Sequence, residues 1–177
     1  SLLVGGIIGF VLPPLCAHLY NTHKGYSLYN AGFAAGIIAT IVISLYKSFG
    51  ITIETRKLWA TGYNVLFMEI LLSFFVFLII IGVITGQNVF RKYMNILKYP
   101  GVGGTDFTFS EGFSPTLVNI GVNGIFSTLF VIVIGAELNG PSIGGIFTIV
   151  GFSAAGKNLR NIAPIMIGVT LASFCGP

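Results

Sequence analysis

The chain is poor in charged residues and in cysteine. Only 8% of its 177 residues are charged, whereas soluble domains carry about a quarter. This scarcity excludes an ordinary soluble domain. The two cysteines, Cys16 and Cys175, lie in apolar stretches near opposite ends of the chain. Two buried thiols account for them better than a structural disulfide does.

Motifs for catalysis, metal binding and nucleotide binding are also missing. His18 and His23 have no third ligand at metal spacing, and the glycine-rich run at residues 101–104 lacks the Lys-Ser/Thr of a P-loop. The formal charge of +4 comes from loop Lys and Arg residues, which multi-pass proteins use to set their topology. The sequence therefore predicts no enzyme, no cofactor, no metal site and no nucleic-acid partner.

Long apolar stretches dominate what is present. Hydrophobic residues make up 54% of the chain, and mean hydropathy is +0.92. A helix needs about 20 apolar residues to cross the roughly 30 Å core of a bilayer. The stretches that fit, or begin to fit, are residues 2–20, 26–46, 63–85, 116–137 and 163–176.

This pattern predicts an all-α, polytopic transmembrane bundle in the cell membrane, with about five or six hydrophobic segments. We expect residues 1–177 to form one transmembrane domain. Because the chain begins and stops inside apolar runs, we also expect it to be a fragment of a longer, duplicated membrane protein.

Two of the stretches are degenerate copies of each other. Each contains Leu, Asn and two glycines, followed by Ile, an apolar residue, a small residue and Thr. The matched positions are Leu28, Asn30, Gly32, Gly36 and Thr40 in the first copy and Leu117, Asn119, Gly121, Gly124 and Thr128 in the second. One spanning segment lies between the copies, so they run in the same direction as a parallel repeat. Ser27 is the predicted N-cap of the first copy.

Several shorter features modify this plan. Pro13 and Pro14 are expected to kink or end the first helix. Residues 87–98 have the periodicity of an amphipathic interfacial helix, and residues 47–62, with Arg56, Lys57 and Trp59, are also expected at the membrane interface. Residues 142–155 would form a helix of only about 21 Å, which is either a re-entrant half-helix or a tilted span.

The predicted orientation in the membrane depends on whether residues 142–155 span it. If this stretch spans the membrane, one side holds six of the nine Lys and Arg residues, and that side is predicted to be cytoplasmic. If the stretch is re-entrant, the division becomes four against five, and orientation is not predicted.

Candidate site residues are the polar groups inside apolar stretches. Glu69 is a carboxyl within a predicted span, where such groups tend to mark substrate or proton pathways; alternatively it reaches interfacial water or pairs with Arg56 or Lys57. Asn30 and Asn119 hold equivalent places in the repeat, one turn inside each helix, and either line a path or bridge neighbouring helices. Four weaker candidates are Thr40, Thr128, Ser127 and Asn123. The hydroxyls among them readily bond the backbone of their own helix.

Two parts of the sequence resemble a family of bacterial multi-pass membrane proteins known only as a domain of unknown function. They are GYSLYNAGFAAGIIAT, from Gly25, and residues 113–169, which include Asn-Gly-Pro-Ser-Ile-Gly-Gly and Gly-Lys-Asn-Leu-Arg-Asn. The family has no assigned activity, so the resemblance implies the membrane class alone. A weaker likeness is to urea transporters, but Gly25 and Tyr26 are separated from Asn30, and the pore signatures Asn-Pro-Leu and Leu-Pro-x-x-Thr are absent.

The sequence thus leads to a transporter or channel for a small polar solute, lined by Asn30, Asn119 and Glu69 and closed by residues 142–155. The alternative is a structural or partner subunit of a membrane complex, in which the glycines and asparagines serve packing. The lipid bilayer is the expected environment. A homo-oligomer is possible. The sequence does not predict which solute is carried or whether the protein is a channel or a coupled transporter.

Overall fold

The computed structural model of the protein describes residues 2–26, 29–51 and 58–175. These residues form helices and no strands, which confirms the all-α fold. The helices divide between two compact units, Ser1–Lys57 and Leu58–Pro177. In the described residues the helices are α1 Leu2–His23, α2 Asn30–Ser48, α3 Asn64–Thr85, α4 Val89–Ile96, α5 Phe107–Ser110, α6 Phe113–Val133, α7 Gly140–Phe152 and α8 Leu159–Cys175.

Four of these helices, α1, α2, α3 and α6, are long and apolar enough to cross a membrane. Helical backbone satisfies its own N–H and C=O groups, which is what a hydrocarbon environment demands. The protein is therefore a multi-pass membrane protein, as the sequence predicted. α3 is the most hydrophobic of the four.

The first unit contains α1 and α2. Pro13 and Pro14 lie inside α1 without ending it, so the predicted end there is wrong, while a kink stays a prediction. Apolar helices tolerate proline when the freed carbonyls find other partners. α2 begins at Asn30, after Tyr29, and Tyr26 is not helical. The stretch predicted from residue 26, with its N-cap at residue 27, therefore becomes helical only at Asn30. The predicted N-cap, Ser27, lies outside the described residues.

In the second unit α3 and α6 form an antiparallel pair. At one end, the Asn64 Oδ1 accepts a hydrogen bond from the Leu138 N–H at 2.8 Å. At the other end, the Thr85 and Ser114 hydroxyls are 3.0 Å apart. Between these ends the backbones approach closely, because a Cβ on Gly121 would lie 2.7 Å from the Phe75 carbonyl oxygen. Small residues are what allow such packing in lipid.

α7 completes the hydrophobic core of this unit, which consists of Leu71, Phe75, Leu138, Ile146 and Val150. A capping box starts α7: the Asn139 N–H donates to the Ser142 hydroxyl at 2.8 Å, and the Ser142 N–H donates to Asn139 Oδ1 at 3.3 Å. The helix has 13 residues, about 20 Å. It is short, as predicted for residues 142–155. Leu138 before it bonds Asn64, and Asn158 after it bonds the Ile96 carbonyl of α4, so α7 connects the two ends of the α3–α6 pair and the re-entrant alternative is wrong.

The predicted amphipathic helix at residues 87–98 is α4, whose Val89 and Ile96 are buried. Its location at the membrane interface stays a prediction. Trp59 is about half exposed in an irregular segment, while residues 52–57 of the second predicted interfacial segment lie outside the described part of the chain.

Candidate functional site

α6 has a row of buried polar side chains, Asn119, Asn123 and Ser127, which we call the polar stripe. Each is 0% exposed. Their four-residue spacing places them on one face of the helix. Polar groups buried in an apolar interior are costly unless they are hydrogen-bonded, so the partners of the stripe define what it does.

The polar stripe bonds the turn between α7 and α8, residues 153–158, which we call the α7–α8 turn. The Asn119 Nδ2 donates to the carbonyl oxygens of Ser153 at 2.7 Å and Lys157 at 2.8 Å. The Asn123 Nδ2 donates to the Ser153 hydroxyl at 2.7 Å and, at 3.5 Å, to Asn119 Oδ1. The Asn119 amide thus holds non-helical backbone against α6, and the Asn123 amide holds the Ser153 side chain.

The far side of the α7–α8 turn is fixed to the loop that follows α4. The buried Asn158 donates through Nδ2 to the carbonyl oxygens of Ile96 at 2.8 Å and Tyr99 at 3.2 Å. The Lys157 ammonium donates to the Gly101 carbonyl at 3.0 Å. Burial lowers the pKa of Lys157 below its ordinary value, because desolvation disfavours the charged form.

Two atoms of the polar stripe have no hydrogen-bond partner among the described residues, Asn123 Oδ1 and the Ser127 hydroxyl. The first can only accept a hydrogen bond, and the second can accept or donate one. Residues four apart on a helix are side-chain neighbours. Each unpartnered buried group costs about 1–3 kcal/mol. The pair therefore offers one acceptor and one hydroxyl, and neither group is charged.

Of the residues predicted from sequence, Asn119 is in this site, whereas the two threonines bond only their own helices. Thr128 is buried and donates to the Gly124 carbonyl at 2.8 Å. Thr40, in the first unit, is exposed and donates to the Gly36 carbonyl at 2.9 Å. Both follow the usual pattern of hydroxyls in apolar helices.

Asn30 bonds residues of α1 within the first unit. Its Nδ2 donates to the Cys16 carbonyl at 2.8 Å, and its Oδ1 is 2.9 Å from His23 Nε2. Asn30 is the first residue of α2, whereas Asn119 follows the start of α6 by nearly two turns. The prediction that each lies one turn inside its helix is therefore wrong, although both amides donate to backbone carbonyls elsewhere in their units.

Glu69 is exposed on the second turn of α3 and is not part of the polar stripe. Its predicted alternative partners, Arg56 and Lys57, lie outside the described residues. Among residues that are described, no three His, Cys, Asp or Glu side chains are grouped as a metal site would require.

The sequence interpretation ranked Asn123 and Ser127 too low and missed Ser153 and Asn158. The four-residue spacing from Asn119 would have revealed the first two. The other two take their roles from contacts with distant segments, and their own neighbourhood in the sequence gives no signal of those contacts.

The family model described as "Protein of unknown function (DUF1576)" matches residues 1–48 and 85–176, most of the chain. The matched residues include the polar stripe and the α7–α8 turn, and they exclude Glu69. Comparisons with curated proteins and with solved structures find no match.

Proposed function

We propose that this chain, which belongs to the DUF1576 family of proteins of unknown function, carries a small polar solute across the membrane. One observation carries the proposal: a spanning helix holds buried non-helical backbone, and two polar atoms beside it have no hydrogen-bond partner in the part of the chain that the structure describes. Buried irregular backbone beside a spanning helix is tolerated only where protein or a water-filled cavity shelters it. In transporters, interrupted helices of this kind form the solute site.

The chemistry of the polar stripe suggests the class of solute. Asn123 offers a carbonyl oxygen and Ser127 a hydroxyl, and neither is charged. A neutral molecule that donates hydrogen bonds satisfies both atoms. An anion would instead face hydrogen-bond acceptors, and burying its unpaired charge would cost free energy. Asn123 and Ser127 lie about 6 Å apart along α6, which is close enough for one small molecule to contact both.

In this proposal α7 is the closing element. It packs beside α6 and ends at the turn that Asn119 holds, so a movement of α7 would open or cover Asn123 and Ser127. Glu69 lies outside this path and is the candidate for coupling transport to protons, since intramembrane carboxyls often have that role. A channel needs no such coupling, whereas a secondary transporter does.

A structural or partner subunit is the second candidate. It is favoured by the amides of Asn30 and Asn119, both of which bond backbone carbonyls as packing residues do. It is also favoured by an open groove of about 530 Å³ on α2, beside Gly32, Gly36 and Thr40, where a helix of another subunit would fit.

Stopped-flow light scattering on proteoliposomes tests the transport proposal. Gradients of water, urea, glycerol, ammonium and formate are applied, with empty liposomes as the baseline. Faster equilibration of one neutral donor, with formate unchanged, is the expected result. Folded protein that accelerates none of these solutes would contradict a channel and leave a coupled transporter or the partner subunit.

A further inference from the structure

The second unit, Leu58–Pro177, has two distinct ends. The antiparallel α3 and α6 place Asn64 beside residues 136–138 at one end and Thr85 beside Ser114 at the other. We call these the Asn64 end and the Thr85 end. Since α3 and α6 are both long enough to cross a bilayer, the two ends face opposite sides of the membrane.

Basic residues of this unit gather at the Thr85 end. Hydrogen bonds from Lys157 to Gly101 and from Asn158 to Ile96 fix the α7–α8 turn to the loop after α4, and therefore to this end. All Lys and Arg residues of residues 58–175 belong to α4, this loop, the turn or the first turn of α8; they are Arg91, Lys92, Lys98, Lys157 and Arg160.

Acidic residues at the Thr85 end are already engaged. The Asp106 carboxylate caps α5 by accepting from the Thr108 N–H at 2.8 Å and the Phe109 N–H at 3.1 Å. The Glu111 carboxylate accepts from the Tyr99 hydroxyl at 3.3 Å. The cations of this end are thus in excess. Towards the Asn64 end the charged residues are Glu69 and Glu137, and no Lys or Arg lies there among residues 58–175.

α4 adds an apolar surface at the level of these cations. Its Val89 and Ile96 face the protein, while Phe90 is 68% exposed and Met94 is 57% exposed. The exposed Arg91 lies beside them. Exposed aromatic and aliphatic side chains next to basic ones are typical of a helix that lies in the headgroup region of a bilayer.

We propose that the Thr85 end faces the cytoplasm and that α4, through Arg91, Lys92 and Lys98, binds the headgroups of anionic phospholipids in that leaflet. Basic residues near spanning helices favour the cytoplasmic side. Anionic headgroups attract juxtamembrane cations, and the attraction falls off within a Debye length of the surface. Phe90 and Met94 would enter the acyl boundary beneath those headgroups. This proposal does not depend on transport.

Orientation is tested with two matched single-cysteine variants, Thr108→Cys at the Thr85 end and Glu137→Cys at the other. Both are made in the full-length protein with Cys16 and Cys175 replaced by serine. Each is treated with a membrane-impermeant maleimide in right-side-out and in inverted vesicles. We expect Glu137→Cys to react only in right-side-out vesicles and Thr108→Cys only in inverted ones. The reverse pattern overturns the proposal.

Lipid binding is tested by spin-label EPR in vesicles of mixed phosphatidylcholine and phosphatidylglycerol. The triple variant Arg91→Gln/Lys92→Gln/Lys98→Gln is compared with Lys24→Gln/Lys47→Gln, which removes cations from the first unit. We expect the preference of the protein-associated shell for phosphatidylglycerol to fall at least about two-fold in the triple variant and to change little in the control. An unchanged preference in the triple variant overturns the proposal.

Salt distinguishes a lipid surface from a site for free phosphate. Raising the ionic strength from 0.1 to 1 M shortens the Debye length from about 10 to 3 Å and should weaken the preference equally in chloride and in phosphate of matched ionic strength. Selective displacement by phosphate would assign the cations to a soluble anion and contradict lipid binding.

Discussion

Replacing Asn119 with alanine should destabilise the second unit by detaching the α7–α8 turn from α6. The change removes donors at 2.7 and 2.8 Å from two backbone carbonyls, one buried and one part-buried. A net contribution of about 0.5–1.5 kcal/mol for each hydrogen bond gives a loss of about 1–3 kcal/mol for the pair. Interhelical bonds in membranes average nearer about 0.6 kcal/mol each, which places the lower limit near 1 kcal/mol. Titration with SDS in mixed micelles measures this free energy of unfolding.

The matched control is Thr128→Val, on the same helix and also 0% exposed. Thr128 bonds only the Gly124 carbonyl of its own helix, and valine has nearly the same shape, so a smaller loss is expected. If Asn119→Ala and Thr128→Val cost the same within about 0.5 kcal/mol, the usual scatter for independent sites, the turn does not depend on Asn119 and the reasoning is refuted.

Three further predictions concern packing, pH and coupling. Gly121→Ala should lower the free energy of unfolding by about 1–3 kcal/mol, because the added methyl overpacks against Phe75. In the control Gly144→Ala the added Cβ meets nothing within 4 Å, so the midpoint of SDS unfolding should not change. Equal effects of the two variants would contradict the close approach of α3 and α6. Burial lowers the pKa of Lys157 from 10.5, which means that the charged ammonium destabilises the folded state. The free energy of unfolding of the wild type relative to Lys157→Met should therefore rise as pH increases towards 10.5. A difference that does not change with pH would count against this burial. If transport is proton-coupled, Glu69→Gln should abolish pH-driven flux in proteoliposomes at unchanged expression, and unchanged coupling would remove Glu69 from that role.

Long apolar helices were the most predictable part of the fold. Hydropathy alone located α3 almost to the residue, because in lipid a long apolar segment has no alternative to helix. Local signals were less dependable. The prolines at 13 and 14 predicted a kink or an end, and α1 does not end there, because the effect of a proline depends on which groups take up the freed carbonyls. The proposed internal repeat rests on sequence similarity and stays a prediction.

The site was only partly predictable, because its partners are distant in the chain. Asn119 was identified as a polar residue inside an apolar helix, but its acceptors lie 34 and 38 residues further along. Their position depends on α7 ending early enough for the turn to reach α6. The short apolar stretch at residues 142–155 did predict a short helix. The hydrogen bonds of Ser153 and Asn158, in contrast, form only when distant segments meet in the folded chain.

Ser127→Ala is the most direct test of the transport proposal. The change deletes a buried hydroxyl that has no hydrogen-bond partner in the described residues, so it should not lower the free energy of unfolding. If a solute passes along the polar stripe, the same change should slow the selective flux several-fold in stopped-flow experiments. Slower flux at undiminished stability is the predicted result. Unchanged flux at the same stability would show that the solute does not contact Ser127 and would contradict the central claim.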